Sequence, residues 1–199
     1  FDWFFEIRYS EIVFADKVIF YEGDTERLFI KKIMTLEEYK DLSQQYIAFI
    51  QVGGAYAKNY EKLIKMLGIK SLIITDIDYE KDKVTVPEIK GAKITNATIK
   101  YFYSKNYDCN GPKVSDIYKW NNSSENIFDD LIFICFQTDV DGYARTLEEA
   151  MLNKYFSIDV SNCFKKCEWI AKKSVSKIRF SIPQKKDNSS VTQETLLTV

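Results

Sequence analysis

Apolar residues along this chain fall into short runs, each followed by a stretch with helical spacing. The run Val18, Ile19, Phe20, Tyr21 stops at Glu22-Gly23, and a helical pattern starts at once. That order predicts a buried strand over 17–21, a tight turn and a helix. Asp24 or Thr25 is placed to cap the helix by accepting backbone N–H bonds at its start. Leu28, Phe29, Ile33 and Met34 predict an apolar stripe running to about Leu36. A second strand is predicted over 46–52, ending in Gly53-Gly54. A helix follows from about Ala55 to Leu67, with Tyr60, Leu63, Ile64 and Leu67 inward, and Gly68 is its C-terminal cap. A third strand, 70–75, empties into Asp76-Ile77-Asp78. Strands alternating with helices predict an α/β fold, a parallel sheet with right-handed crossovers and helices on both faces.

Beyond Tyr79 the pattern loosens. Pro87, Gly91, Asn96, Asn110-Gly111-Pro112 and Asn121-Asn122-Ser123-Ser124 punctuate it, so 79–130 reads as a loosely structured insertion. Within it 98–103 predicts an edge strand, and 113–120 and 124–130 predict helical pieces. A fourth strand is clear at 131–136, a turn at Asp139–Gly142, and a helix starts near Thr146 with Leu147, Ala150, Met151 and Leu152. The organisation expected is therefore an aromatic connecting arm over 1–16, one domain over 17–160, and a basic C-terminal region over 161–199. That last region is expected to be helical near 160–178.

Composition changes this picture in three places. The chain has 199 residues, 46% of them hydrophobic and 29% charged, an ordinary globular balance. It contains no histidine, which excludes Ser–His and Cys–His nucleophile pairs and most zinc catalysis. Its four cysteines form no zinc set, and free thiols in a reducing cytoplasm are expected. No apolar run reaches the ~18 residues of a membrane helix. Net charge is −1, but Lys165–Lys186 gathers eight basic residues against Glu168 alone. A solvated lysine face explains that stretch by itself. Beside acidic clusters, it suits a polyanion bridged to the protein by metal ions.

The acidic clusters carry the chemistry. Alternate residues of an extended segment face the same way, so Asp76 and Asp78 can point at one place beyond the strand end. Two such charges repel, and a divalent cation with hard oxygen ligands relieves them. A lone DxD is also a common solvated loop. Glu22 weighs against that reading, because an acid at the tip of a buried strand has little structural purpose. Glu26 is accounted for by the helix dipole. Thr146 with Glu149 fits a capping box, which leaves Glu148 free to turn toward the sheet edge. Arg145, just before it, suits a phosphate or a carboxylate.

EGxxE after a strand, a glycine turn at Val52-Gly53-Gly54, DxD after a third strand and a later R-x-L-E resemble a Toprim domain. More narrowly, FADKVIFYEGDTE and RTLEEA resemble the Toprim half of OLD-family (overcoming lysogenization defect) nucleases, over roughly residues 11–153. The Gabija anti-phage nuclease belongs to that group. The resemblance implies a Toprim-like sheet of about four strands and cytoplasmic, metal-dependent nicking or cleavage of DNA in bacterial defence. Glu22, Asp76 and Asp78 would hold one Mg²⁺ or Mn²⁺, and Glu26 and Glu148 would help hold a second. Lys185 or Lys186 would supply the site's lysine, with Arg145, Lys172, Lys173 and Lys177 toward the substrate. Partners implied are DNA, an ABC-type ATPase domain, a second copy of the chain, and a helicase-like protein for a Gabija member. The position after the glycine turn, often lysine in relatives, is Ala55 here. Rival readings are cleavage of structured RNA and a non-catalytic module that binds a nucleotide or a partner.

Overall fold

A computed structural model describes residues 10–53, 56–81, 83, 85–109 and 111–156, together with two short strands further on. A short helix α1 (Glu11–Phe14) leads into β1 (Lys17–Tyr21), and helix α2 (Asp24–Ile33) follows directly. A 3₁₀ turn and the short α3 (Lys40–Ser43) lead to β2 (Ile47–Gln51). A 3₁₀ turn at Ala57–Tyr60 continues into α4 (Glu61–Leu67), and β3 (Lys70–Ile74) comes next. Gly68 ends α4 in the left-handed conformation (φ 61°), where a residue without Cβ is unstrained.

The sheet also contains β4 (Ile127–Phe128) and β5 (Ile132–Cys135), in the order β2-β1-β3-β5-β4. β1 pairs in parallel with both β2 and β3, β3 pairs in parallel with β5, and β4 is an antiparallel edge. Four parallel strands are therefore joined by one strand that was not expected. Val18 and Phe20 enter the main core, where the Phe20 ring lies 4.9 Å from that of Tyr60. Ile19 and Tyr21 are buried on the opposite face. A strand buried on both faces is what a parallel sheet covered on both sides requires.

The chain leaves β1 toward β2 and leaves β3 toward β5, in opposite directions along the sheet. The carboxyl ends of β1 and β3 thus flank the point where the winding reverses, the usual ligand crevice of an open α/β sheet.

The segment 79–130 is folded, which corrects its reading as a loose insertion. It carries α5 (Val86–Gly91), α6 (Ala97–Asn106) and α7 (Val114–Asn122). Ile89, Ile94, Ile99, Phe102, Ile117 and Trp120 from it are buried in the main core. The expected edge strand at 98–103 is helix. The Asn96 side chain accepts from the N–H groups of Thr98 (2.9 Å) and Ile99 (3.1 Å), and Ile99, Phe102 and Tyr103 then bury one helical stripe. The expected helix at 124–130 is a hairpin. Asp129 and Asp130 both have positive φ, and Leu131 N–H bonds to Phe128 C=O at 2.9 Å, so a tight left-handed turn reverses the chain in the three-residue connection between Phe128 and its strand partner Ile132.

Helix α2 differs too. It ends at Ile33, its buried residues are Glu26 and Ile30, and Leu28 is 63% exposed, so the stripe expected on Leu28 and Phe29 faces outward. Helix α8 (Leu147–Phe156) starts one residue after Thr146 and lies against α2. In the C-terminal region the described backbone is strand: β6 (Ile178–Ser181) pairs antiparallel with β7 (Glu194–Leu197). The helical pieces expected from 160 to 177 fall outside the described residues. Cys109 and Cys135 are free thiols, and Cys163 and Cys167 fall outside the described residues. Among the described residues no helix is long and apolar enough to cross a membrane.

Candidate acidic site at the β1 and β3 strand ends

Glu22 is the first residue after β1, and the pleat carries its side chain toward β3 rather than into solvent. Its Oε1 accepts from the Thr75 hydroxyl and from the Asp76 backbone N–H (3.0 Å). The acids of two strands more than fifty residues apart therefore meet at the crevice. Burial raises the Glu22 carboxyl above its ordinary range. The bonds from Thr75 and Asp76 oppose the rise, and the charges of Asp78 and Glu26 add to it.

Asp76 is likewise held by two donors. Its Oδ1 accepts from Gln137 Nε2 (2.9 Å) and from the Leu147 backbone N–H (3.0 Å) at the start of α8. Burial first, and the Glu22 charge second, push its carboxyl up to about 7. An acid raised that far near neutral pH marks a place short of positive charge, and such groups concentrate at functional sites.

Asp78 sits at φ 37°, a left-handed conformation that Asp tolerates better than most residues. Its Oδ1 lies 3.3 Å from the Arg145 guanidinium, which stacks over the Tyr79 ring at 5.3 Å. Glu26 is 4% exposed, and its Oε2 accepts from the Gly23 N–H at 2.8 Å. Only the Glu26 half of a capping box is made at this helix start, since Gly23 has no side chain to return the bond, and neither Asp24 nor Thr25 is the N-cap. A Cβ on Gly23 would stand 3.3 Å from that oxygen, so the glycine lets the carboxylate fold back.

At α8 the cap is close to the one expected. Thr146 Oγ1 accepts from Glu149 N–H (3.3 Å), while the Glu149 carboxylate reaches one residue further, to Arg145 N–H (2.8 Å). Glu148 is exposed, next to the residue whose N–H binds Asp76.

The structure thus brings Glu22, Asp76, Asp78 and Glu26 into one electrostatic neighbourhood. Lys172, Lys173, Lys177, Lys185 and Lys186 fall outside the described residues. Among the described residues no three acidic or thiol side chains already converge as a metal cage. The donors nonetheless suit a hard divalent cation in kind: they are carboxylate oxygens, partly buried and mutually repelling. Sequence reasoning missed Thr75, Asn96 and Gln137, all buried polar residues. One signal for Gln137 was available, since it is the polar residue that ends the apolar run before it, as Glu22 ends the first.

Residues 13–78, from just before β1 through Asp78, match the family described as overcoming lysogenization defect protein-like, Toprim domain. Over 164 residues the chain is 29% identical to Endonuclease GajA of Bacillus cereus (strain HuB5-5), with 78% of this chain aligned. The chain spans 22% of the length of that curated relative.

Proposed function

We propose that this chain, which carries a Toprim domain of the OLD type, is the nuclease part of a defence protein and cuts DNA with the help of divalent cations. The observation that carries the reading is the Glu22 carboxylate resting on the Asp76 N–H, which places two strand-end acids in one partly buried crevice. Glu22, Asp76 and Asp78 hold one Mg²⁺ or Mn²⁺, and Glu26 and Glu148, on neighbouring helices, contribute to a second. Such ions, when bound, lower the pKa of an attacking water and steady the leaving oxygen of a phosphodiester.

The protein's own groups do the rest. Gln137 and the Leu147 N–H fix one Asp76 oxygen, leaving the other to turn toward the crevice. Arg145 is the cation beside Asp78 and is placed to meet a phosphate brought alongside it. Lys185 or Lys186 completes the site, and Lys172, Lys173 and Lys177 bind the substrate backbone. An ABC-type ATPase domain, a second copy of the chain and a helicase-like protein are the partners that fit a Gabija-type assembly.

The test is incubation with supercoiled plasmid, with and without Mg²⁺ or Mn²⁺. Nicked or linear product that appears only with the metal is the expected result. Equal product in EDTA would remove the metal from the reaction, and no product under any condition would leave a binding module.

A further inference from the structure

The acid pair does not hold itself. Thr75, 2% exposed, sits between β3 and Asp76, and its hydroxyl is engaged both ways: it donates to Glu22 Oε1 and accepts from Asn96 Nδ2 at 2.7 Å. Asn96, 5% exposed, also donates to the Asp76 backbone C=O at 2.8 Å. Its Oδ1 meanwhile accepts from the Thr98 and Ile99 N–H groups and so caps α6. One side chain thus spends its acceptor on a helix start and both donors on the loop that carries the acids. A cap alone needs only the acceptor, and Ser, Thr or Asp would serve as well. The two donors are what the helix has no use for.

The geometry points to Thr75 and Asn96 as positioning residues that set the Glu22 and Asp76 carboxylates for a divalent cation, with α6 as their anchor. The inference rests on the metal reading above and deepens it. The outer partners that orient ligands commonly change metal affinity by about 10–100-fold when removed. A hydroxyl at position 75 is required, because it alone links Asn96 to Glu22. The side chain at 96 must donate as well as accept.

Thr75→Val and Thr75→Ser separate this role from packing, since valine keeps the shape and loses the hydroxyl while serine keeps the hydroxyl. Two readouts are taken on the protein. One is amide exchange at Asp76 without metal, which reports whether Glu22 still accepts from that N–H. The other is Mn²⁺ affinity by titration without DNA. In Thr75→Val, Asp76 exchange accelerates and Mn²⁺ binding weakens about tenfold or more. Thr75→Ser stays near wild type in both. Asn96→Ser, which keeps the α6 cap, weakens Mn²⁺ binding too. Combined with Thr75→Val it adds less than it does alone, because the two residues act through one chain of bonds.

The inference is overturned if Thr75→Val matches Thr75→Ser in exchange and affinity. A wild-type protein that binds no Mn²⁺ would overturn the metal reading instead, and the exchange measurement would still decide whether Thr75 holds Glu22.

Discussion

At the scale of single residues, the site trades stability for charge. Asp76 is pushed up to about 7 mainly by burial, then by Glu22, so its ionised form is costly in the metal-free fold near neutral pH. Asp76→Asn keeps an oxygen that accepts from Gln137 and Leu147 and removes the repelling charge. The metal-free variant is therefore expected to melt higher, by roughly 2–4 °C for a gain on the order of 1 kcal/mol in a chain of this size. It should lose the thermal shift caused by Mn²⁺ and, with it, plasmid cleavage. Melting curves with and without Mn²⁺ check this, and a lower melting point in the metal-free variant would mean that Asp76 is a structural acid. Glu61 behaves in the opposite way. Burial alone would raise it, but bonds from Tyr101, Lys105 and Lys65 outweigh that and hold it at about 2. A lowered acid stabilises the fold fully above its ordinary value of 4.5, and that contribution fades as the pH falls toward 2. The stability gap between wild type and Glu61→Gln, read from urea melts, should be widest above pH 5 and shrink steadily below pH 4. A gap that is flat with pH would contradict the network.

At the scale of elements, the four parallel strands were legible, and the segment between β3 and β5, with the edge strand β4 in it, was not. Short apolar-rich runs before Glu22, Gly53 and Asp76 gave β1, β2 and β3 within a residue or so, most clearly for β1, whose burial on both faces leaves an unbroken apolar run. The stretch 98–103 misled because Thr98, Ile99, Tyr101, Phe102 and Tyr103 are β-branched or aromatic, the residue types that strands favour. The cap that decides the matter is Asn96, two residues upstream. At 124–130, Asp129 and Asp130 form a left-handed turn that glycine usually marks, so the hairpin had no glycine to announce it. The outward face of Leu28 and Phe29 on α2 has no explanation in the described residues. The folded state of the segment has a direct consequence. Trp120 is 1% exposed and stacks on Phe136 of the sheet layer with centroids 6.0 Å apart. Trp120→Ala should cost about 3–5 kcal/mol, the usual range for an aromatic cut out of a core. Chemical denaturation measures it, and a loss under about 1 kcal/mol would return the segment to the status of a loose loop.

At the scale of the whole molecule, the site belongs to the topology more than to any one motif. Glu22-x-x-x-Glu26 and Asp76-x-Asp78 are weak signals apart; they gain meaning because β1 and β3 are neighbours and the winding reverses between them. Sequence alone showed the acids and their strand ends. It did not show what holds them, since Thr75, Asn96 and Gln137 carry no motif and act only once β3, α6 and β5 are packed together. Nor did it show which partner Arg145 takes: it engages Asp78, while Glu22 is bonded to the backbone N–H of Asp76. The measurement closest to the central claim is anomalous X-ray scattering from crystals soaked in Mn²⁺. The account predicts a manganese peak bound jointly by the Glu22 and Asp76 carboxylates at the β1 and β3 strand ends. A crevice without manganese, with those two side chains turned apart, would contradict it.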